Sequence, residues 1–324
     1  MGPKNFTVII SKYAPTAITY APIQHYAYSV IGIDANLLMY KMIYAIRRNG
    51  YDILNGETAI THIHSLLSKF RRFIEYNITP VFVFDGMPPV LKHAELDKRH
   101  SFQESMRKRY EEPQTPAEKK KYYFMKSDIS VQEITDCMNL ISIFGWTVIE
   151  AIEEADSQLA QMSQSGQIDY VASDDLDILI FGGKKLLKNF TVDKKKTIQE
   201  IDLDVLKTTT GLSDKQLIDL VILLGCDYCK GVKGIGPISA YNLIKKVGSI
   251  EVLVQQKLLK EAPHNYAKTQ KNYLKPLVMS AKSIEISPFN LNKDKLRTFL
   301  LSFDYSADQI TKIIDHIESK ASRV

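Results

Sequence analysis

Asp34 and Asp85 each close an apolar run, "YSVIGID" and "TPVFVFD". Asp174, Asp175 and Asp177 are set into another, "VASDDLDILIFGG". Taking an ionised carboxylate out of water costs several kcal/mol unless something pairs with it, so such positions call for a partner. Glu154 and Asp156 follow the apolar run "WTVIE", and Asp227 ends "LIDLVILLGCD". Singly, each acid has a plain structural use, because acids cap helices and sit in turns after strands. Gathered together, Asp34, Asp85, Glu154, Asp156, Asp175, Asp177 and Asp227 would repel strongly unless divalent cations neutralised them. Oxygen donors without His or Cys suit Mg2+ or Mn2+ and not zinc. Two such ions about 3.5–4 Å apart can clamp the attacking and leaving oxygens of an in-line phosphoryl displacement. The chemistry open to this set is phosphodiester hydrolysis.

Whether the acids can meet depends on the elements that carry them. Residues 28–34 and "TPVFVFDG" read as buried strands, as do "WTVIE" and "IDYVAS", with "DILIF" and "KLLKNF" as further short strands. Helical patterns run from Asp34 to about Arg48, from about Glu57 to Tyr76, over roughly 130–144, and through "EEADSQLAQMS". Strands alternating with helices predict an α/β fold with a mainly parallel central sheet flanked by helices. Ligands of open α/β sheets bind at the carboxyl ends of the strands, where Asp34 and Asp85 stand. An extended chain at residues 175–177 would point Asp175 and Asp177 the same way. Beyond about residue 202 the pattern is nearly all helical, apart from the turn "KGVKGIGP". With no internal repeat or low-complexity linker, the chain reads as one α/β body with a helical C-terminal part packed on it.

The totals narrow the classes. A chain of 324 residues, 45% hydrophobic and 24% charged, is that of an ordinary globular protein. Its net charge of +5 permits a polyanionic partner without requiring one. No apolar run approaches the roughly 20 residues that span a bilayer, and Pro3-Lys4-Asn5 opens no signal-peptide core, so no membrane partner is expected. Cys137, Cys226 and Cys229 are too few for a secreted disulfide framework and suit a reducing compartment. "CDYC" lacks the second pair that a structural zinc site needs, and helix packing is its better reading.

Several long motifs, in order from Met1-Gly2 to about residue 256, resemble the flap endonuclease family of structure-specific 5′ nucleases, which includes excision-repair and exonuclease relatives. "IDANLLMY" and "VFVFDGMPPVLKHAELDKR" are similar to its N-terminal acidic block and signature. "EEADSQLA" and "ASDDLDILIFG" are similar to its internal acidic block, and "LLGCDYCKGVKGIGPISAYNLI" to its helix–hairpin–helix segment. The resemblance implies a PIN-like 5′-nuclease fold. Its parts would be an N-terminal nuclease region (1–99), a helical arch (100–128), an internal nuclease region (129–225), a helix–hairpin–helix segment (226–256) and a helical C-terminal region (257–324).

The family's metal-site acids fall on the same seven residues, with two Mg2+ ions implied and Mn2+ as a substitute. Asp156 stands where the family usually has Glu, and neighbouring Glu153 leaves open which residue is the inner ligand; Asp174 is expected to cap a turn. Lys92 and Arg99, seven apart and so near one helix face, match the cations that contact the scissile phosphate. Pro113 and Pro116 would divide the arch, and Tyr110, Tyr122, Tyr123 and Phe124 serve either base stacking or packing. Gly2, Tyr40, Arg47, Gly234 and Gly236 are the implied DNA contacts: Tyr40 stacks on a nucleobase, Arg47 wedges the junction, and the glycines let backbone amides approach phosphates. A K+ ion at the helix–hairpin–helix turn is also implied.

The implied activity is a 5′-flap endonuclease with 5′→3′ exonuclease action, using two-metal-ion hydrolysis in replication and repair. The alternatives are a junction-cutting, excision-repair or RNA-cutting relative, and a DNA-binding scaffold that has lost catalysis. The implied partner is branched or flapped DNA, and the implied state a monomer. "DHIESKASRV" carries no sliding-clamp motif, so clamp binding is not carried over. The implied setting is intracellular: nuclear, or a cytoplasmic replication site if viral. Residues beyond 257 read equally as a basic DNA-facing surface or as solvated helices.

Overall fold

"VIGID" and "TPVFVF" are apolar at nearly every position, which suits strands buried on both faces, and such strands lie at the centre of the molecule. The computed structural model describes residues 3–112, 115–126, 128–190 and 196–322; Gly2 and Pro113 lie outside them. Its strands are β1 (Ile18–Ala21), β2 (Val30–Asp34), β3 (Leu54–Asn55), β4 (Thr58–Ala59), β5 (Thr79–Phe84), β6 (Thr147–Glu150), β7 (Tyr170–Ala172), β8 (Lys185–Lys188) and β9 (Ile198–Asp202). Seven form one sheet in the order β1-β9-β8-β7-β2-β5-β6, while β3 and β4 make a separate hairpin. The run β8-β7-β2-β5-β6 is parallel, and β9 and β1 continue it antiparallel.

Alternation along the strands divides the core in two. Val81 and Val83 face one cluster, with Phe6, Leu159, Val171 and Leu220. Phe82 and Phe84, with Ile31 and Ile33, face the other, with Phe70, Phe144 and Trp146. The last two helices, Lys293–Leu301 and Ala307–Ala321, place Leu296, Leu300, Ile310, Ile314 and Ile317 in this second cluster. Much of the C-terminal region is therefore a core layer.

Two sequence expectations are corrected. "DILI" is a helix, Asp177–Ile180, and not a strand. All four of its residues are buried, and an apolar run that short has no periodicity to separate the two structures. Asp177 thus begins a helix, and the extended geometry expected for Asp175 and Asp177 is absent. Strands β1 and β9 and the β3–β4 hairpin were not anticipated; β1 pairs with β9 from far along the chain, in the register Ile18↔Ile201.

Glycines permit two close approaches near the acids. A Cβ on Gly32 would fall 2.5 Å from Ile168 Cδ1 and 2.6 Å from Leu159 Cδ2, so glycine lets the helix Ala155–Ser165 pack close on β2. A Cβ on Gly86 would fall 1.8 Å from the Ala151 carbonyl oxygen. With that side open, Gly86 N donates to Glu153 O at 2.8 Å and Met87 N to Ile152 O at 3.2 Å. These bonds join the chain leaving β5 to the chain leaving β6.

Candidate active site

Parallel pairing brings the carboxyl ends of β2, β5, β6 and β7 to one edge, and six of the seven acids follow from those ends. Asp34 closes β2 and caps the helix Ala35–Arg47, Oδ1 accepting from Leu37 N at 3.0 Å. Its Oδ2 accepts from Ser173 Oγ at 2.9 Å, which ties β2 to the chain after β7. Asp85 follows β5; it is exposed, and its Oδ1 accepts from Ala155 N at 2.9 Å. Glu154 is the N-cap residue of the helix Ala155–Ser165, yet its side chain makes no cap bond and turns instead toward Lys92 and Tyr228. Asp175 Oδ1 accepts from Asp177 N at 2.9 Å. The seventh, Asp227, comes from the turn after the helix Asp214–Leu224.

The electrostatics are those of crowded negative charge. Asp34, Glu154, Asp175 and Asp177 are buried. Burial, then the charge of Asp85, pushes the Asp34 carboxyl up from 3.8 to about 7. Burial and Asp175 raise Asp156 and Asp177 well above the ordinary aspartate value. Cations answer part of this charge. Lys92 pairs with Glu154 and lies 3.6 Å from Asp227 Oδ2, while Arg99 Nη2 donates to the same oxygen at 3.3 Å. Burial alone would lower the Lys92 pKa, but Glu154, Asp156 and Asp227 raise it, so Lys92 stays protonated. Lys92 ends a short 3-10 turn, and Arg99 lies in the helix His93–Glu111 that follows, the first of two helices that enter the segment expected as an arch. Pro116 opens the second, Pro116–Lys126.

Among the described residues, no three acidic, histidine or cysteine side chains stand so that they could hold a metal ion as placed. The acids share an edge without forming a closed ligand set, because several of their oxygens are bound to Lys92, Arg99, Ser173 and two tyrosines. The donor chemistry nevertheless fits a hard cation, being all carboxylate. Asp156 Oδ1 in particular is buried and has no hydrogen-bond partner, although Asp175, Asp34 and Asp85 all act on its charge. A buried acceptor left in that state is costly unless a ligand satisfies it. Asp174 turns out to be a tether: Oδ1 accepts from Asn189 N at 2.7 Å, and Oδ2 pairs with Lys41.

Two expected DNA contacts are bound within the fold. Arg47 is 8% exposed, and its guanidinium donates to Asp52 at 2.8 Å, Glu133 at 2.6 Å and the Asp128 carbonyl at 3.0 Å. Arg47 is thus held inside the fold by two carboxylates and a carbonyl, and is not the solvated surface arginine its helix position alone would suggest. The Tyr40 hydroxyl likewise donates to Asp128 Oδ1 at 3.0 Å, so Tyr40 also serves as a tie. Gly234 and Gly236, by contrast, are exposed; Gly234 takes a positive φ of 88°, and added Cβ atoms would meet nothing within 4 Å. The turn therefore offers open backbone before the helix Pro237–Val247.

Sequence reasoning missed two tyrosines. Tyr228 OH donates to Glu154 Oε2 at 2.5 Å, and Tyr273 OH to Asp177 Oδ1 at 2.6 Å. Tyr228 sits beside Asp227 in sequence, which was a usable signal. Tyr273 lies 96 positions from its partner, and nothing local announces it. A cleft of about 470 Å3 opens next to Asp227, lined partly by Lys4, Lys98, Lys230 and His264. Another of about 490 Å3 lies between the helices His93–Glu111 and Pro116–Lys126, with Lys98, Arg99, Phe102 and Phe124 in its wall.

Comparison with known proteins agrees with this architecture. Residues 1–106 match the XPG N-terminal domain and residues 145–227 the XPG I-region. Flap endonuclease 1 of Candida glabrata is 33% identical over 312 residues, which cover 93% of this chain and 82% of that one. The structure of flap endonuclease-1 from Methanococcus jannaschii superposes with a TM-score of 0.71 at 25% identity, covering 94% of this chain and 96% of that one. The catalytic core of Rad2 in complex with DNA substrate shares the fold, with a TM-score of 0.73 at 22% identity over 98% and 100% of the two chains. With both family models matched and 33% identity over 93% of this chain, the chain belongs to the flap endonuclease family.

Proposed function

We propose that this chain is a structure-specific 5′-flap endonuclease, with 5′→3′ exonuclease action, that hydrolyses DNA phosphodiesters at the carboxyl edge of its sheet. As a member of its family it is a metal-dependent nuclease. The observation that carries the site assignment is the excess of buried carboxylate around the unpartnered Asp156 Oδ1, beside Lys92 and Arg99. Asp34, Asp85, Glu154, Asp156, Asp175, Asp177 and Asp227 would hold two divalent ions, Mg2+ with Mn2+ as a substitute. When bound, such ions activate water and neutralise charge on the leaving oxygen.

The chain's own groups do the rest. Lys92 and Arg99, held at the rim by Asp227 and Glu154, are fixed cations for a scissile phosphate. The open amides at Gly234 and Gly236 and the start of the helix Pro237–Val247 suit phosphate oxygens of a duplex arm, with K+ as an added bridge. These contacts read backbone and not bases, as selection by junction shape requires. Flap removal in replication and repair follows as the role, on branched DNA, by a monomer.

The test is incision of labelled flap, nicked, bubble, four-way and RNA substrates with Mg2+ or with EDTA. Cutting near the flap base, abolished by EDTA, is the expected result. Binding without cutting in any metal would leave a DNA-binding scaffold. Preference for four-way or RNA substrates would move the assignment to a relative.

A further inference from the structure

The helix Tyr266–Leu274 lies far along the chain from the acids, yet it turns Tyr273 into them, 2% exposed. The Tyr273 ring packs 4.9 Å from Phe181 and 5.3 Å from Tyr228, at 53° and 78°. Thr269, on the same helix, donates to the Tyr228 carbonyl at 3.4 Å. The two tyrosines thus form one aromatic unit with a hydroxyl at each tip. One hydroxyl donates to Asp177 and the other to Glu154, from opposite ends of the acid row. Two phenols aimed at two buried carboxylates are more than core filling, because packing alone would be met by phenylalanine.

We propose that Tyr273 and Tyr228 are positioning residues, which clamp one oxygen each of Asp177 and Glu154 so that these carboxylates face a divalent ion in fixed orientation. This rests on the metal reading of the site. A ligand held by a neighbouring donor loses less freedom on binding its ion, and outer partners of this kind are typically worth about 10–100-fold in affinity or activity. The clamp also links the helix Tyr266–Leu274 to the acid edge, so order in one is felt in the other.

The experiment is Mn2+ titration of the full chain without DNA, reading free Mn2+ by electron paramagnetic resonance. Tyr273→Phe is expected to weaken Mn2+ binding about tenfold, with the melting temperature held by the conserved ring. In an Asp177→Asn background the same change should add almost nothing, because the clamped carboxylate is gone. Unchanged Mn2+ affinity in Tyr273→Phe, or the same loss with and without Asp177, overturns the proposal. Should Phe at 273 prevent folding, Tyr228→Phe takes the same titration with Glu154→Gln as its background; a loss confined to the Glu154 chain supports the clamp, and any other pattern overturns it. A wild-type chain that binds no Mn2+ refutes the metal reading itself; equal binding by wild type and variants refutes only the clamp.

Discussion

Two polar clusters lie inside this molecule, and they are built on opposite rules. Around Arg47, donors and acceptors balance. Asp52 takes Arg47 and Thr61 on Oδ1 and Tyr123 on Oδ2, while Glu133 and the Asp128 carbonyl complete the guanidinium. Burial alone would raise the Asp52 pKa, but the bonds from Tyr123, Thr61 and Arg47 outweigh it and hold the group below its ordinary value. At the acid edge the balance fails: Asp34, Asp156 and Asp177 are all pushed up, and Asp156 Oδ1 has no partner. A satisfied cluster holds elements together; here it ties the helix Ala35–Arg47 to the helix Pro116–Lys126 and to the helix Val131–Ile143. An unsatisfied one is kept at a cost in stability, which makes sense where a ligand completes it.

The contrast should break first at the acids. Asp175→Asn or Asp227→Asn is expected to lower single-turnover flap cleavage on the order of 10^3-fold, the scale for losing one element of preorganised electrostatics, with flap affinity nearly kept. Equal loss of affinity and turnover would show that these acids serve binding.

Next comes the balanced cluster. Arg47→Ala strands Asp52 and Glu133 and should destabilise the fold by roughly 3–5 kcal/mol in urea unfolding. A normal unfolding midpoint with weakened flap binding would restore Arg47 to the DNA interface.

The smallest effect is thermal. A carboxyl whose folded pKa is raised from 3.8 to about 7, as for Asp34, binds its proton more tightly folded than unfolded. In EDTA its destabilisation is absent below about pH 4, grows as pH rises through about 7, and is then complete. The melting temperature in EDTA should therefore fall from pH 5 to pH 8, and Mg2+ at pH 8 should recover roughly 5 °C. A flat profile that Mg2+ does not move would mean that the edge has no excess charge to relieve.

The acid set was legible because it hangs on local signals. Asp34 and Asp85 end runs whose apolar density marks buried strands, and parallel pairing then fixes their common edge. What escaped the sequence depends on distant partners. Arg47 looks like a surface arginine on its own helix, and only Glu133 and Asp128 make it a buried hub. "DILI" carries no period, so the tertiary core decides its helix. Strand β9 has the mixed burial expected near a sheet edge, which weakens any alternation signal. Tyr273 acquires its role only when the C-terminal region folds back on the site.

That fold-back limits how far the molecule can be trimmed. Residues 1–256 would retain every metal-site acid, Lys92, Arg99 and the glycine turn, yet would strip the isoleucine and leucine stripe of the last two helices from Phe70 and Phe144. A fragment cut there would bare the apolar outer faces of the helices Thr61–Glu75 and Val131–Ile143 and aggregate. The smallest working nuclease thus extends well past its recognisable motifs, with the tail serving as the hull that keeps water off the helices behind the sheet.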